Sequence, residues 1–311
     1  MKIVFMGTPD YAVKTLEELI GAGHTVAAVF AQPDKPVGRK QILTPPPVKV
    51  CAQMHGIPVF QPRTLRDGEA EKIIRNIAPD VIAVVAYGKI LPTEILTLPR
   101  YGCVNGHASL LPKYRGAAPI QWCIVNGEKE TGVTAMQMDE GMDTGDILET
   151  AVTEIGAEET AGELFERLSV IGAELLVKTL ADIENGNVTP IKQDESKATA
   201  APIIKKEMAK ISFHDMTAEE VHNAVRGFYP WPVAFFISGG KRIKIIKSRV
   251  VNMHGTAGAV LKSDSELIVA CKKEAVALET IQPEGSKPMT AKQYLCGRPI
   301  ALGTEIEDEN G

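Results

Sequence analysis

The run DVIAVVAY at residues 80–87 decides the fold, because every position after the first is apolar or aromatic. Strands buried on both faces read in this continuous way, whereas strands with one wet face alternate. Two shorter runs of the same kind, KIVFM (2–6) and TVAAVF (25–30), precede it. A helical pattern at about 10–22, with Asp10 as its expected N-cap, separates those two runs. The alternation of strands and helices predicts an α/β domain with a doubly wound, mostly parallel sheet.

The second half of the chain carries a different pattern. Between residues 233 and 282 short apolar runs recur, separated by GG, HGTAG and SDS, which is typical of a small antiparallel β-barrel. A helix precedes them, with Thr217 as N-cap and Glu220 completing a capping box. A polar stretch with two prolines joins the halves and is predicted to be a linker. The predicted division is a first domain at 1–188, a linker at 189–207 and a second domain at 208–311.

Composition excludes several classes of protein. The 311 residues carry a net charge of −5 and 44% apolar residues, which is ordinary for a globular protein. The five cysteines are widely spaced without a CxxC pair, so neither a disulfide framework nor a metal site is expected, and Cys103 is predicted to be a buried strand residue. The N-terminus lacks a signal-peptide pattern, and no run approaches the ~20 apolar residues that cross a membrane. A cytoplasmic monomer without a membrane partner is expected.

Basic residues are distributed unevenly. Residues 205–304 hold 15 Lys and Arg against 9 Asp and Glu, although the whole chain is acidic. Such asymmetry can mark a nucleic-acid-binding module, and it is also the signature of a solvated surface. A second basic stretch, QPDKPVGRKQILTPPPVK (32–49), is long for a connection between a strand and a helix, which predicts a functional loop. Trp231, between two prolines, is predicted to be a packing anchor rather than a base-stacking platform.

Three polar residues suggest a site for acyl transfer. Asn105 and His107 are two positions apart near the end of a predicted strand, so both side chains can face one cleft. Asp143 and Asp146 flank Gly145 in a polar turn further on. An amide can stabilise an oxyanion, an imidazole can donate to the same oxygen or carry a proton, and a carboxylate can set the tautomer of the imidazole. The alternative is a turn-stabilising Asn, a surface His and an Asp cap.

The motifs around these residues resemble the folate-dependent formyltransferases. The pattern N-x-H-x-SLLP-x-x-RGAAPIQ spans residues 105–121 and MDTGDIL follows at 142–148. The resemblance extends over nearly the whole chain, and Gly106 departs from it, since larger apolar residues are common there in the family. Further matching blocks are FMGTPDYA (5–12), QPDKPVGR (32–39), AYGKILP (86–92), FYPWPVAFF (228–236) and LETIQPEGSKPM (278–289).

The resemblance implies a fold, an activity and roles for residues. It implies a Rossmann-like formyltransferase domain followed by an OB-like domain, and transfer of a formyl group from 10-formyltetrahydrofolate to an amine, which we expect to be that of methionine on initiator tRNA. Asn105, His107 and Asp143 match the catalytic residues of the family. Arg39, with Lys40 beside it, matches the loop that contacts tRNA. The segment that lies against the folate is matched by Ser109, Leu110, Leu111 and Pro112.

Two other interpretations share these motifs. A relative could formylate a nucleotide-linked amino sugar or hydrolyse formylfolate, and the basic insertion at 32–49 favours tRNA over both. A tRNA-binding protein with a degenerate catalytic site is the third interpretation, and the intact Asn105, His107 and Asp143 argue against it.

Overall fold

The computed structural model describes residues 1–38 and 40–306, which form two compact units. The first unit contains Met1–Pro119, Glu130–Glu154 and Phe165–Pro202. The second contains Ile120–Lys129, Ile155–Leu164 and the described residues from Ile203 onward. The strands and helices are, in chain order, β1 (Lys2–Gly7), α1 (Asp10–Gly21), β2 (Thr25–Phe30), β3 (Lys35–Val37), β4 (Ile42–Thr44), α2 (Pro47–Met54), β5 (Val59–Phe60), α3 (Glu69–Ile77), β6 (Val81–Val85), α4 (Thr93–Leu96), β7 (Cys103–His107), β8 (Arg115–Gly116), α5 (Pro119–Val125), β9 (Glu130–Gln137), β10 (Ile147–Glu154), α6 (Ala161–Glu184), β11 (Ala200–Ala201), α7 (Ala218–Gly227), β12 (Phe235–Ser238), β13 (Lys241–Val251), β14 (Val260–Ser263), β15 (Leu267–Ala270), β16 (Ala275–Pro283), β17 (Met289–Thr290) and α8 (Ala291–Gly297).

The sheet of the first unit has seven strands in the order β10-β9-β7-β6-β1-β2-β5. The strands from β7 to β5 pair in parallel, and β9 and β10 add an antiparallel edge. Every residue of β6 is buried, as is β1 after Lys2, because strands covered on both faces have no wet side. The predicted doubly wound, mostly parallel sheet is confirmed.

One apolar cluster fills a face of this sheet. Val4, Met6, Ile82 and Val84 project from β1 and β6 into it, beside Tyr87, and all are at most 4% exposed. The strands are therefore fixed by packing, and the loops at their carboxyl ends are held on a rigid base.

The stretches predicted as a loop and as a linker both contain ordered structure. Within 32–49, β3 and β4 form an antiparallel hairpin. Within 189–207, β11 pairs in parallel with β8 and a short 3₁₀ turn forms at Glu195–Lys197, while a second turn, Lys206–Ala209, begins at the end of this stretch. The backbone of the predicted linker is therefore partly paired, at Ala200 and Ala201, with the strand that contains Arg115 and Gly116.

The second unit contains an antiparallel sheet in the order β12-β13-β16-β15-β14, with β17 paired to β16. Along β13 buried and more exposed residues alternate through the first half, as expected for a strand with one wet face. Before the sheet, α7 begins after Thr217, whose hydroxyl accepts from the Glu220 N–H while the Glu220 carboxylate accepts from Thr217. The predicted capping box and the predicted OB-like antiparallel domain are confirmed.

Two local predictions are wrong. Asp10 is the first residue of α1 and not its cap; Pro9 holds the N-cap position without a side-chain bond. Trp231 is 51% exposed, so it is not a buried packing anchor. Both errors concern positions whose environment is fixed by the path of the chain rather than by residue type.

Candidate active site

Strand β7 carries two of the predicted residues at its end. It pairs in parallel with β6 and antiparallel with β9, so it lies where the sheet changes direction. Asn105 and His107 share one face because they are two positions apart, and they are only 9% and 7% exposed. Gly106 between them stays in the β-ladder opposite Ala135. The strand thus presents an amide and an imidazole at a carboxyl end of the sheet, where α/β proteins bind ligands.

Both ring nitrogens of His107 face oxygen atoms of the chain. Nε2 lies 2.9 Å from the carbonyl oxygen of Tyr114. A carbonyl only accepts, so Nε2 carries a hydrogen and donates it. Nδ1 lies 3.6 Å from Oδ2 of Asp143, beyond hydrogen-bond distance and within reach of an ion pair. The neutral ring therefore has a bare Nδ1, which can accept a proton beside a carboxylate.

The tautomer of His107 is thus set by a backbone carbonyl. Aspartate was expected to set it, and Tyr114 does so instead. Asp143 accepts no hydrogen bond from the ring and faces Nδ1 at the distance of an ion pair, 3.6 Å.

Asp143 is held by a tight loop in an unusual backbone conformation. Its φ is +56°, a region that few residues other than glycine adopt. Its Oδ2 accepts a 2.8 Å bond from the backbone N–H of Gly116. Earlier in the loop, Oδ1 of Asp139 accepts from the Gly141 N–H at 3.0 Å and from the Thr144 hydroxyl at 2.7 Å. These bonds fix the direction in which the carboxylate of Asp143 points.

Gly116 is required at its position for two reasons. Its φ of +124° is accessible to glycine and strained for other residues, and an added Cβ would lie 2.7 Å from the carbonyl oxygen of Ala201. The strand pair β8–β11 therefore needs glycine here in order to aim an N–H at Asp143.

Asn105 has an amide available to a ligand. Among the described residues its side chain has no hydrogen-bond partner, although it is 9% exposed. A nearly buried amide is stabilised by any group that satisfies it, and a carbonyl oxygen that gains charge is such a group.

The segment Ser109, Leu110, Leu111 and Pro112 forms the turn after β7. Ser109 is fully buried and its hydroxyl donates to the Lys113 carbonyl at 2.6 Å, so it shapes the turn. The hydroxyl of Thr134 donates to the Ser109 carbonyl at 2.7 Å and accepts from the Leu111 N–H at 3.1 Å. Leu111 is 7% exposed, whereas Leu110 and Pro112 are half-buried. The surface that this turn offers to a ligand is apolar.

Cys103 takes no part in the chemistry. It is fully buried, and burial raises the pKa of its thiol to about 12. A thiol with this pKa is not a nucleophile near neutral pH, so the prediction of a buried strand cysteine is confirmed.

The residues that sequence reasoning missed lie in 114–116 and 193–199. Tyr114 acts through its carbonyl and Gly116 through its N–H, and a backbone group leaves no trace in residue type. Gln193 and Thr199 fall in a polar stretch without periodicity, which is typical of a linker. The one available signal was Arg115, a charged residue within the RGAAPIQ motif, whose guanidinium binds Gln193 and Glu195.

The predicted tRNA-contacting loop is anchored at its base. The ammonium of Lys49 donates to the Asp34 carboxylate at 2.8 Å and Nε2 of Gln61 donates to it at 2.8 Å, and these two hydrogen bonds lower the pKa of the Asp34 carboxyl. Lys40 is exposed in the hairpin connection. Arg39 lies outside the described residues.

The first half of β13 is rich in basic side chains. Lys241 and Arg242 are exposed and Lys244 is half-buried, and none of the three lies within 4.0 Å of a carboxylate of the described residues. In the second half of the strand, Lys247 and Arg249 pair with Glu279, each at 3.3 Å. Positive charge therefore remains uncompensated at one end of the strand.

Neither a metal site nor a membrane span is found in the described part of the chain. No group of three or more His, Cys, Asp or Glu side chains among residues 1–38 and 40–306 could hold a metal ion. None of the helices described above is both long and apolar enough to cross a bilayer.

Comparison with family models matches both units. Residues 1–180 match the family described as formyl transferase, and residues 203–299 match the formyl transferase C-terminal domain. Among curated proteins, the chain is 49% identical over 306 residues to a methionyl-tRNA formyltransferase of Alkaliphilus oremlandii, covering 97% of this chain and 98% of that protein. It is 48% identical over 305 residues to the methionyl-tRNA formyltransferase of Geotalea uraniireducens, covering 98% and 97%.

Solved structures share the fold. An N-formyltransferase from Helicobacter canadensis, in complex with folinic acid and dTDP-3-aminofucose, superposes with a TM-score of 0.69 at 23% identity, covering 91% of this chain and 99% of that one. HypX from Aquifex aeolicus, in complex with tetrahydrofolic acid, gives a TM-score of 0.63 at 17% identity and covers 95% of this chain. The match spans 47% of HypX, about half its length.

Proposed function

The chain belongs to the formyl transferase family, and from this membership we infer that it transfers the formyl group of 10-formyltetrahydrofolate to the α-amine of methionyl-initiator tRNA. The product is N-formylmethionyl-tRNA, with which translation is initiated. We propose that Asn105, His107 and Asp143 carry out the transfer. The observation that carries this assignment is the 3.6 Å approach of His107 Nδ1 to the carboxylate of Asp143, beside the amide of Asn105.

In the proposed reaction, the neutral α-amine attacks the formyl carbon. A C–N bond forms to the amine, the C–N10 bond of the folate breaks, and one amine proton must reach N10. The bare Nδ1 of His107 is placed to accept that proton and to return it to the leaving nitrogen. Asp143 stabilises the imidazolium in between, and no covalent enzyme intermediate is required.

The formyl oxygen gains negative charge during the attack. Asn105 can donate its amide hydrogens to this oxygen, since no other described residue engages them. The Nε2–H of His107 already donates to the Tyr114 carbonyl, so the geometry favours Asn105 as the donor to the oxyanion and His107 as the carrier of the proton. The sequence alone allowed both roles for the imidazole.

The apolar turn after β7 supports the proposed folate site. Leu110 and Pro112 offer partly exposed apolar surface directly after His107, and the buried Ser109 holds the turn in place. The flat pterin ring of a folate is stabilised by such a surface, while N10, which lies outside that ring and carries the formyl group, has to lie near the imidazole.

Two basic regions support tRNA as the acceptor. The exposed Lys40 lies in the hairpin connection of the first unit and follows Arg39 in the sequence, and Lys241, Arg242 and Lys244 carry uncompensated charge on β13. Phosphate contacts by such residues predict an affinity that falls steeply with salt concentration. We also propose that the protein acts as a cytoplasmic monomer, and that residues 1–188, 189–207 and 208–311 are its catalytic domain, connection and tRNA-binding domain.

The proposal is tested by incubating the purified protein with 10-formyltetrahydrofolate and methionyl-initiator tRNA, and measuring acid-stable formylmethionine after ester hydrolysis. Uncharged tRNA, formylfolate alone and a dTDP-amino sugar serve as separate acceptor arms. Formylation of charged initiator tRNA is expected, and turnover with the amino sugar alone would overturn the inferred acceptor. Asn105→Ala and His107→Ala should keep the fold and lose about 10²–10³-fold in rate. Near-native turnover by either variant would refute the site.

The loop assignment has its own test. Arg39→Ala is expected to raise the KM for tRNA much more than the KM for the folate. Equal effects on both substrates would contradict a role in gripping tRNA.

A further inference from the structure

The side chain of Gln193 makes four hydrogen bonds beside the catalytic loop. Its Nε2 donates to the carbonyl oxygens of Asp143 at 2.8 Å and Gly145 at 2.7 Å. Its Oε1 accepts from Arg115, at 3.1 Å from Nε and 2.8 Å from Nη2. A glutamine amide has two N–H donors and one oxygen acceptor, so every hydrogen-bonding group of this side chain is used.

Only one orientation of this amide is chemically possible. The two carbonyls that it faces can only accept, and the guanidinium of Arg115 can only donate. Turning the amide over would place oxygen against oxygen and N–H against N–H. The arrangement therefore depends on an amide and cannot be reproduced by a carboxylate or an apolar side chain of the same size.

The two carbonyls held by Gln193 define the position of Asp143. The backbone of Asp143 has a φ of +56°, which is less favourable for a residue with a side chain than an ordinary conformation. Such a conformation persists when the surrounding contacts over-determine it. Gln193 binds Asp143 itself and the second residue after it, and so holds the backbone on both sides of Thr144.

The same segment holds the other partner of His107. The hydroxyl of Thr199 accepts from the Tyr114 N–H at 2.8 Å, and its carbonyl accepts from the Arg115 N–H at 2.8 Å. Its own N–H donates to the Pro112 carbonyl at 3.3 Å. The carbonyl of Tyr114, which accepts from Nε2 of His107, is thereby fixed by Thr199.

We propose that Gln193 and Thr199 are positioning residues for the formyl transfer. Gln193 fixes the carboxylate that faces Nδ1 of His107, and Thr199 fixes the carbonyl that faces Nε2. Neither needs to touch a substrate: together they hold the imidazole in one tautomer with a carboxylate at its basic nitrogen. This inference rests on the proposed function, and the experiment below separates the two.

Gln193→Glu is the most informative variant. It keeps the length of the side chain and the oxygen that binds Arg115, and it removes both donors to the catalytic loop. Misplacement of a catalytic group by about 1 Å costs on the order of 10²-fold in rate. We therefore expect kcat to fall by about 10²-fold, while KM for tRNA and for the folate stays within a factor of about two. Gln193→Met serves as the second variant, and it is expected to lower kcat in the same way.

Thr199 offers a matched pair. Thr199→Ser keeps the hydroxyl and is expected to keep the kcat of the wild type. Thr199→Val keeps the shape and removes the acceptor for the Tyr114 N–H, and is expected to lower kcat by about fivefold, which corresponds to the loss of one neutral hydrogen bond of ~1 kcal/mol. Gln137→Glu is the control for a generic loss, since Gln137 Nε2 donates to one backbone carbonyl of the same unit, that of Cys103, at 3.1 Å.

A second readout does not require turnover. The imidazole resonances of His107 in ¹⁵N NMR report its tautomer and its neighbours, and we expect them to move in Gln193→Glu and Thr199→Val and to stay in Thr199→Ser and Gln137→Glu. Failure of the wild type to formylate charged tRNA would refute the proposed function, and the NMR comparison of the variants could still be made. Wild-type kcat and unchanged resonances in both Gln193→Glu and Thr199→Val would overturn the positioning roles. So would a loss of kcat that Gln137→Glu shows equally.

Discussion

Replacing Asp143 by Asn isolates the charge of the carboxylate. Asparagine tolerates the left-handed backbone of this position, and its amide oxygen can still accept from the Gly116 N–H. What is lost is a negative charge 3.6 Å from Nδ1 of His107. With an effective dielectric constant of about 20, a pair of unit charges at this separation is worth about 5 kcal/mol. Since the Asp143 side chain is 16% exposed, solvent screening reduces this to about 3–5 kcal/mol.

The expected loss of rate follows directly. Each 1.36 kcal/mol of barrier is a factor of ten, so Asp143→Asn should lower the single-turnover rate of formylation by about 10²–10⁴-fold. The assay mixes enzyme, in excess, with charged initiator tRNA and 10-formyltetrahydrofolate in a quench-flow instrument, so that binding and release do not limit. Asp146→Asn, in the same turn, is the control and should stay within about threefold of the wild type. A rate for Asp143→Asn within fivefold of the wild type would refute the electrostatic role of the carboxylate.

Three further changes test the packing and the charges of the first unit. Tyr87→Phe is expected to raise the free energy of unfolding by about 1 kcal/mol in urea titrations, because it removes a buried hydroxyl that lacks a partner among the described residues. Tyr11→Phe breaks a 3.3 Å hydrogen bond to a helix carbonyl and should lower the free energy of unfolding. A change in the same direction for both variants would contradict this. Gly106→Ala should raise the free energy of unfolding by about 0.5–1 kcal/mol and leave turnover unchanged, since the new Cβ lies 3.6 Å from its nearest atom. A loss of activity would show that glycine is needed there. The pKa of the Asp34 carboxyl is lowered by Lys49, so this pair contributes stability above the ordinary pKa of 3.8, and that stability is lost as pH falls below it. In Asp34→Asn the urea concentration at the unfolding midpoint should therefore fall less steeply at acid pH than in the wild type. Parallel plots of midpoint against pH for the two proteins would argue against the pair.

The sheet could be predicted because its strands are continuous apolar runs that only burial on both faces explains. Residue chemistry alone leaves open whether His107 meets a carboxylate; the resemblance to the formyltransferases singles out Asp143, and the structure places its Oδ2 3.6 Å from Nδ1 of His107. The roles of the three residues in catalysis stay predictions. Sequence reasoning also identified the capping box at Thr217 because that signal is local.

The features that could not be predicted depend on backbone hydrogen-bonding groups and on the path that the chain takes. The carbonyl of Tyr114 sets the tautomer of His107, and any residue would supply that carbonyl. Gln193 belongs to a stretch without hydrophobic periodicity, and its four bonds exist only because the chain returns to the catalytic loop. The exposure of Trp231 likewise follows from where its segment runs, since a large aromatic residue is buried in most other settings.

The pairing of β11 with β8 has a practical meaning for anyone who trims this protein. A fragment that ends at residue 188, after the long helix α6, would retain each side chain assigned to the chemistry. It would lack Gln193, Thr199 and the short strand that lies against Arg115 and Gly116. A minimal catalytic fragment should therefore extend at least to Pro202, the last residue of the first compact unit.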